Sequence, residues 1–423
     1  MPKSTGERRL SIAIVGSGPS ALFTAEALLE SGRNVEVAVI ERLPVPFGLV
    51  RYGVAPDHAV TKRVTEKMGQ TLEDPRVSFF GNVEVGRDVS IDELRERYDA
   101  IVLATGASND AKLGIPGENL PNVFGSARLV SWYNGHPDHA DLAPKLHTKR
   151  VAIIGMGNVA LDIARILSSP IDRLRKTDIA QHAVEMLRTS AVEDVYIVGR
   201  GKPHQAKFSY PELRELKTLE GVVAVTDPAM FEGGPQASAN KQQKRIWDLF
   251  LEFSQNDSKA APKRINFIFG SSPVRIEGRE YVEKLTLNST QGIASSISCG
   301  LVVTAIGYRS SAILGVPFDA ARMIVPNQGG QVGDQLFAVG WLGRGPSGVI
   351  GTNKPDAVVV AQSILDIGPK AVAPSGSEGL YRLLEARKLR VVRQQSLKRI
   401  HAAEVGRGKL VRIADMLLAA AGP

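Results

Sequence analysis

Short, strongly apolar stretches alternate along the chain with glycine-containing loops and with segments of helical periodicity. Residues 12–15 are the first such stretch and predict a buried strand. The segment that follows has apolar positions at helical spacing and ends near Gly32, and apolar residues 35–40 predict the next strand. This order of elements predicts a βαβ unit, in which a helix joins two parallel strands.

The loop between the first predicted strand and its helix has the spacing of a dinucleotide-binding loop, Gly16-x-Gly18-x-x-Ala21. Gly16 permits a tight turn, Gly18 lets the backbone approach a pyrophosphate, and the small Ala21 lets helix and strand pack closely. Glu41 follows the second strand 25 residues after Gly16, near the position of a carboxylate that binds an adenosine ribose. Such a loop also occurs as a plain helix start, but the complete unit favours nucleotide binding.

A second βαβ unit begins with the apolar residues 151–154, which precede Gly155-x-Gly157-x-x-Ala160 and a helix predicted to end at about residue 167. The same physical argument applies to these glycines. Two dinucleotide sites in one chain indicate that one nucleotide passes electrons to the other. We therefore expect FAD to be held tightly at the first loop and NADPH to bind reversibly at the second.

The strand after the second loop, residues 195–198, is followed by Gly199-Arg200, where an NAD site usually has a carboxylate. A cation at this position suits the 2′-phosphate of NADP, which a carboxylate would repel. The alternative is that Arg200 is an ordinary surface arginine.

Two further strand-plus-glycine elements lie on either side of the second βαβ unit. Residues 100–103 are followed by Thr105-Gly106, and residues 301–303 are followed by Ile306-Gly307. They resemble two crossings between a discontinuous domain and an inserted one. The predicted fold class is α/β with two Rossmann-like domains, an FAD domain of residues 1–107 and 307–423 and an NADP domain of residues 108–306.

The amino-acid composition excludes several kinds of redox and metal site. The chain has 423 residues, 43% of them apolar and 23% charged, which are globular values. A single cysteine, Cys299, excludes an internal disulfide, a cysteine-held metal cluster and a C-x-x-C redox pair, so electron transfer must use a bound cofactor. His136 and His139 fit a solvated loop better than a metal site. No apolar run is long enough to span a membrane, and the polar start leaves no room for a signal peptide, so we expect a cytoplasmic or mature organellar protein.

Three longer motifs occur together and in order: ERLPVPFGLVRYGVAPDH at residues 41–58, GMGNVALD at 155–162 and GWLGRGPSGVIGTNKPDA at 340–357. With these motifs the chain resembles the adrenodoxin-reductase-like ferredoxin-NADP reductases. The resemblance implies that NADPH passes a hydride to FAD and that single electrons then leave for a small iron-sulfur protein. The chemistry would belong to the cofactor, while the protein positions it.

The resemblance also implies site residues. Those implied for FAD are Gly16, Gly18, Ser20, Ala21, Glu41, Leu49, Trp341, Gly348, Val349 and Ile350. Those implied for NADPH are Gly155, Gly157, Asn158, Val159, Ala160, Arg200, Lys202 and Thr352, with His58 and Glu215 near the nicotinamide as orienting groups. Trp341 could instead be an ordinary core aromatic. Glu215 lies in a predicted helix in which Ser209 and Glu212 form a capping pattern, so we assign Glu212 to the cap and Glu215 to the site.

One departure from the family pattern concerns the phosphate-binding turn. The family usually has V-G-R-R-G-P, whereas this chain has V-G-R-G-K-P at residues 198–203. Lys202 can reach a phosphate as a point charge but cannot form the bidentate contact of a guanidinium. We therefore expect a retained but weakened preference for NADPH over NADH.

Positive charge is concentrated near the end of the sequence. Residues 381–412 contain ten Lys and Arg against two Glu, a net charge of +8, which equals that of the whole chain. A positive surface there would steer an acidic ferredoxin, especially at low salt. The alternative is a solvated pair of elements without a partner, and nucleic-acid binding is disfavoured because the segment has one aromatic residue and no recognition signature. The hypothesis predicts that neutralising Arg387, Lys388, Arg390 and Arg393 slows ferredoxin reduction.

The resemblance implies that the protein is a ferredoxin-NADP reductase, and we expect a monomer without a metal site. Two alternatives stay open. One is an NAD(P)H diaphorase that reduces quinones, and the other is a non-enzymatic flavin redox sensor.

Overall fold

A computed structural model describes residues 8–232, 234 and 239–422. These residues form two compact units. The first unit comprises residues 8–54, 58–109 and 308–422, and the second comprises residues 55–57 and 110–307. The second unit is therefore an insertion into the sequence of the first.

The first unit is built around a six-stranded sheet. Neighbouring strands are parallel except for the first pair, which is antiparallel. Along the central strand, Ile12 and Ile14 belong to one buried cluster and Ala13 and Val15 to another, so both faces of the sheet are covered. In spatial order the strands are Gln331–Gly333, Leu336–Ala338, Ala100–Leu103, Leu10–Val15, Val35–Glu41 and Val77–Gly81.

Helices connect and cover these strands. The first of them, Pro19–Glu30, follows the first glycine loop and packs along Asn353–Ile367. The other α-helices of this unit are Gly48–Tyr52, Ala59–Lys62, Val64–Glu73, Ile91–Arg97, Trp341–Arg344, Gly376–Ala386, Gln394–Glu404 and Ile413–Ala421.

The second unit repeats the design with a six-stranded, entirely parallel sheet. Alternate residues of its central strand again enter different clusters, Val151 and Ile153 on one face and Ala152 and Ile154 on the other. In spatial order the strands are Val123–Gly125, Leu301–Thr304, Arg150–Ile154, Asp194–Val198, Lys263–Ile268 and Val222–Thr226.

A smaller antiparallel sheet and several helices complete the second unit. The strands of the smaller sheet are Ser271–Glu277, Lys284–Ser289 and Ala294–Ser298. The α-helices are Ser126–Tyr133, Asn158–Ser168, Ile171–Leu174, Gln181–Arg188, Tyr210–Glu215 and Lys241–Phe253.

These two units confirm the predicted fold class of two Rossmann-like α/β domains, one inserted into the other. The predicted strand at residues 100–103 has the observed bounds, and the other strands of the two βαβ units differ from prediction by one or two residues at an end. Across the described residues, no helix is both long and apolar enough to cross a membrane.

Candidate dinucleotide-binding sites

The first glycine loop combines a tight turn with an open face. Gly16 has φ +108°, and a Cβ atom there would lie 2.5 Å from the carbonyl oxygen of Ala104. Gly18 caps the helix Pro19–Glu30 in an extended conformation, and nothing lies within 4 Å of the position its Cβ would take. The turn therefore requires glycine at residue 16, while residue 18 leaves space for a phosphate beside the helix N-terminus.

Glu41 ends the strand that follows this loop, and two hydrogen bonds fix its carboxylate. The hydroxyl of the buried Ser17 donates to Glu41 Oε2 at 2.6 Å, and the backbone N–H of Leu43 donates to Oε1 at 2.9 Å. Burial raises the pKa of Glu41, and these two hydrogen bonds oppose that increase. Sequence reasoning did not find Ser17, although its place between the two glycines is a usable signal.

A short segment closes over the first loop. The N–H of Phe47 donates to the carbonyl oxygen of Ser17 at 3.1 Å, and Phe47 has φ +84°. A Cβ atom on the next residue, Gly48, would lie 3.2 Å from Cα of Gly18. Leu49 follows in the helix Gly48–Tyr52 and is half-buried. The segment that carries Leu49 is thus held beside the glycine loop by backbone contacts.

The late motif at residues 340–357 reaches the same loop through Ser20. The Ser20 hydroxyl donates to Asn353 Oδ1 at 3.1 Å, and Asn353 begins the helix Asn353–Ile367. Gly340 has φ +67°, and a Cβ atom there would overlap the Ser20 side chain. The structure therefore brings together two motifs that are more than 300 residues apart in the sequence.

Trp341 is half-buried at the start of the helix Trp341–Arg344, and its indole N–H donates to the carbonyl oxygen of Ser347 at 2.9 Å. It does not belong to the buried core, so the alternative that it is an ordinary core aromatic is wrong. The indole instead shapes the loop that leads to residue 348.

The turn after that loop consists mostly of exposed residues. Gly348 has φ +82°, and Val349 is 71% exposed. The N–H of Val349 donates to the hydroxyl oxygen of Thr352 at 3.0 Å, and Ile350–Thr352 form a 3₁₀ turn. Thr352, which the resemblance implies for NADPH, belongs to the first unit.

The second glycine loop repeats the geometry of the first. Gly155 has φ +137°, and a Cβ atom there would overlap the carbonyl oxygen of Ala305. Gly157 caps the helix Asn158–Ser168 in an extended conformation, again with nothing within 4 Å of its Cβ position. Val159 is half-buried and Ala160 is buried in the first turn of that helix.

The residues after the second strand differ from those after the first. Gly199 packs so closely on Met156 that a Cβ atom would overlap its side chain. Arg200 and Lys202 are exposed and form no ion pair with an acidic residue in the described parts of the chain. The Lys202 N–H donates to Gln205 Oε1 at 2.9 Å, which orders the turn. Two exposed cations therefore follow this strand, where the first unit has a carboxylate.

Glu215 is exposed and belongs to a charge cluster of the second unit that centres on the buried Arg165. Arg165 is fully buried and forms a bidentate pair with Asp57, with N–O distances of 2.8 and 2.9 Å. It also donates to Asp162 at 3.0 Å and to Glu215 at 3.1 Å. Burial alone would lower the pKa of Arg165, but its hydrogen bond with Asp57 and the surrounding carboxylates raise it. The guanidinium is therefore a permanent cation that holds the Glu215 carboxylate.

Sequence reasoning missed Arg165, although its spacing of three residues from Asp162 on one helix is a signal for an ion pair. Ser209 caps the helix Tyr210–Glu215 by accepting from the Glu212 N–H at 3.4 Å, as predicted. The Glu212 carboxylate additionally lies 3.7 Å from Arg165, so its role extends beyond the cap.

The structure also shows where His58 and Cys299 lie. His58 is half-buried in the first unit and precedes the short helix Ala59–Lys62. Cys299 is buried in the second unit, and burial raises the pKa of its thiol to about 12. A thiol in that state is protonated at neutral pH and is a poor nucleophile.

Comparison with known proteins identifies relatives over most of the chain. Residues 10–198 match the family model described as pyridine nucleotide-disulphide oxidoreductase. The chain is 40% identical to the NADPH-ferredoxin reductase FprA of Mycobacterium leprae, covering 88% of each protein. It is 38% identical to the mitochondrial NADPH:adrenodoxin oxidoreductase of Arabidopsis thaliana, covering 99% of this chain and 97% of that protein.

A solved structure gives the same result. The structure of Mycobacterium tuberculosis FprA in complex with NADPH superposes with a TM-score of 0.94 at 38% identity. The match covers 98% of this chain and all of that one.

Proposed function

This chain belongs to the family of NADPH-ferredoxin reductases and NADPH:adrenodoxin oxidoreductases, and we propose that it uses NADPH to reduce a small iron-sulfur protein of the ferredoxin or adrenodoxin type. The observation that carries the proposal is the pair of glycine loops, one followed by a fixed carboxylate and the other by two exposed cations. FAD, when bound, accepts a hydride from NADPH and releases the electrons singly.

The residues of the first unit fit FAD. The space in front of Gly18 at the helix N-terminus would receive the pyrophosphate, and Ser20 and Ala21 line the same turn. Glu41, oriented by Ser17, retains acceptor capacity for ribose hydroxyls. Leu49 lies in the segment held over the loop.

The exposed turn at residues 348–350 would serve the other end of FAD. We assign the backbone of Gly348, Val349 and Ile350, with Trp341 shaping the loop, to the pyrimidine side of the flavin ring. The Val349 N–H already donates to the Thr352 hydroxyl, so the N–H groups of Gly348 and Ile350 are the ones that would stabilise negative charge there without having to reorganise.

The residues of the second unit fit NADPH. The open space at Gly157 would receive its pyrophosphate, with Asn158 and Val159 in the first helical turn. Arg200 and Lys202 would bind the 2′-phosphate, because they carry positive charge and have no carboxylate partner in the described part of the chain. This is the physical basis for a preference for NADPH.

Glu215 and His58 are assigned to orienting the nicotinamide, as is Thr352. Arg165 holds the Glu215 carboxylate in one direction, so the acid would be a fixed acceptor rather than a mobile one. Its bidentate partner Asp57 is the residue immediately before His58 in the sequence. No proton transfer by these groups is required for hydride donation from NADPH.

We assign the acceptor to an acidic iron-sulfur protein that docks on the basic segment 381–412. Several cations of this segment have local partners: Arg387 pairs with Glu93, and Lys398 lies 3.2 Å from Glu73. Arg393 lies 3.5 Å from the centre of the Tyr381 ring. The two ion pairs reduce the positive field that the charge count suggests, whereas the ring contact leaves the charge of Arg393 uncancelled.

The exposed residues Lys388 and Arg390 form no ion pair in the described parts of the chain and are the best steering charges. We expect the double variant Lys388→Ala/Arg390→Ala to slow ferredoxin reduction severalfold at low salt and to flatten its salt dependence. NADPH-to-dye turnover should stay unchanged. Arg382→Ala is the matched control, because Arg382 is exposed but pairs with Glu378 at 3.0 Å. Identical ferredoxin kinetics in both variants would remove the segment from the proposal.

The function itself is tested by the visible spectrum of the purified protein before and after anaerobic NADPH. We expect a yellow protein whose flavin bleaches rapidly, followed by reduction of an added ferredoxin. Faster turnover with a quinone than with a ferredoxin would favour the diaphorase. A flavin that NADPH does not reduce would favour the sensor.

Dithiol chemistry does not accompany this activity, because Cys299 is the only cysteine of the sequence and is buried. We also propose that the protein is a monomer and that it is located in the cytoplasm. Light scattering on a size-exclusion column checks the first of these expectations, and cell fractionation checks the second.

A further inference from the structure

A lysine outside the predicted site lies directly beside the second glycine loop. The backbone N–H of Lys207 donates to the carbonyl oxygen of Met156 at 2.8 Å, and Lys207 forms a parallel bridge with Gly157. Two residues later, the N–H of Ser209 donates to Asn158 Oδ1 at 2.8 Å. Residues 207–209 therefore run alongside the loop and the start of its helix.

The direction of the Lys207 side chain follows from this pairing. Successive residues of an extended segment point to opposite sides, and the neighbouring Phe208 is buried in the core at 1% exposure. Lys207 accordingly points outward and is exposed. Because residues opposite each other in a bridge carry their side chains on the same side, Lys207 leaves the backbone on the side where Gly157 would carry a Cβ atom.

That side of Gly157 is the open space at the helix N-terminus, where nothing lies within 4 Å of the Cβ position. Paired backbones lie about 4.8 Å apart, and a lysine has a flexible four-carbon stem, so the ammonium group can reach this space. In the described parts of the chain, Lys207 forms no ion pair that would hold its charge elsewhere.

From these contacts we propose that Lys207 binds the pyrophosphate of NADPH, an inference that rests on the proposed function. Its role differs from that of Arg200 and Lys202. Those two residues follow the second strand and would contact the 2′-phosphate, whereas Lys207 is tied to the loop that faces the pyrophosphate. Lys207 thus adds affinity without adding selectivity between NADPH and NADH.

Calorimetric titration of the flavin-containing protein with three ligands separates these roles. NADP⁺ carries both phosphate groups, 5′-ADP carries only the pyrophosphate, and 2′-AMP carries only the 2′-phosphate. We expect Lys207→Met to weaken NADP⁺ and 5′-ADP by about fivefold each, because one charge-assisted hydrogen bond is lost at an exposed site. Binding of 2′-AMP should not change. Arg200→Ala should show the opposite pattern, with weakened 2′-AMP and unchanged 5′-ADP.

Lys244→Met is the control for loss of a surface charge, since Lys244 is exposed on the helix Lys241–Phe253 of the same unit. It should bind all three ligands as the unaltered protein does. Unaltered NADP⁺ binding by Lys207→Met, or an equal loss for 2′-AMP, would overturn the inference and leave the proposed function intact. Failure of the unaltered protein to bind NADP⁺ would overturn both. Flavin content and melting temperature, measured for each variant, show that the fold is retained.

Discussion

The two glycine loops of this chain share a backbone design and differ in what surrounds it. Gly16 and Gly155 both have positive φ and both press against a carbonyl oxygen of a neighbouring strand end. Gly18 and Gly157 both cap a helix in an extended conformation with open space in front of them. The backbone alone therefore does not distinguish one nucleotide site from the other.

The difference lies in the side chains and in what covers each loop. At the first loop, Glu41 is fixed by Ser17 and Leu43, and Phe47 donates from a covering segment. At the second loop, Arg200 and Lys202 are exposed cations without an acidic partner in the described part of the chain. The first arrangement is preorganised for hydroxyl groups, and the second offers charge to a phosphate.

This contrast explains how one fold can serve a retained cofactor and an exchanging one. A ligand that meets groups already fixed loses little of its binding free energy to their ordering, which favours long residence. A ligand attracted by exposed surface cations gains association rate and charge selectivity, but exposed ion pairs contribute little affinity each. We therefore expect the first loop to hold FAD permanently and the second to release NADP⁺ after each turnover.

The largest effect should come from adding a methyl group to the first glycine of either loop. Gly16→Ala and Gly155→Ala each place a Cβ against a carbonyl oxygen at positive φ, with an expected cost of at least about 3 kcal/mol. Gly16→Ala should yield a colourless protein. Gly155→Ala should stay yellow but lose NADP⁺ binding.

The readouts are the ratio of flavin to protein absorbance and calorimetric binding of NADP⁺. Gly32→Ala is a useful control, because Gly32 also has positive φ but nothing lies within 4 Å of its Cβ position. That variant should cost only the backbone strain of about 1–2 kcal/mol and keep both ligands. Loss of flavin from Gly155→Ala instead of Gly16→Ala would exchange the two assignments.

A smaller but selective effect is expected for Arg200→Ala. Removing a guanidinium that would bind the 2′-phosphate should lower kcat/KM for NADPH by about 5- to 10-fold, because a charge-assisted hydrogen bond at an exposed position is weakened by solvent. The value for NADH should stay within about twofold, because NADH has no group at that position. Steady-state kinetics with a dye acceptor measure both values, and parallel losses for the two nucleotides would show that Arg200 acts on something other than the 2′-phosphate.

We expect a smaller effect from Lys202, the second cation after the strand Asp194–Val198. The unaltered protein should prefer NADPH over NADH only modestly, since the second cation of its turn is a lysine. Lys202→Arg should raise the ratio of the two kcat/KM values by about threefold by adding a planar, bidentate donor. Equal kcat/KM values for NADPH and NADH in the unaltered protein would contradict the predicted preference.

The fold was largely predictable because each βαβ unit is specified locally. Apolar residues 12–15 and 151–154, each followed by a glycine loop, lie in buried central strands of the two sheets. Helix and strand periodicity depends on neighbouring residues, so no knowledge of distant contacts is needed. The inserted arrangement followed from matching strand ends at residues 103 and 303.

The parts of the candidate sites that escaped prediction depend on distant contacts. Ser17 acquires its role from the folding of strand 35–41 beside it, and Arg165 acquires its role from Asp57, 108 residues away. Lys207 looks like any surface lysine until its bridge to Gly157 is seen. In the basic segment 381–412 the charge count overstated the free positive charge, because it could not show that Arg387 pairs with Glu93.

The smallest effect concerns how the stability of the flavin-free protein depends on pH. It tests whether burial of the Glu41 carboxylate destabilises the protein before FAD binds. Burial raises the folded-state pKa of Glu41 above its ordinary value of 4.5. A raised pKa means that folding favours the protonated acid, so this group contributes stability below pH 4.5 that is lost as the pH rises through the folded-state pKa. Glu41→Gln is neutral at every pH and avoids that loss.

We therefore expect flavin-free Glu41→Gln to lose less stability than the flavin-free unaltered protein between pH 4.5 and pH 8, measured by urea unfolding. The amide can still accept from the Leu43 N–H, and the Ser17 hydroxyl can turn to accept from its NH₂ group. With FAD bound the order should reverse, because the charged carboxylate is the better acceptor for ribose hydroxyls. Exposed Glu66→Gln is the control and should follow the unaltered protein. Identical pH profiles for Glu41→Gln and Glu66→Gln would mean that burial of the Glu41 carboxylate does not lower the stability of the flavin-free protein.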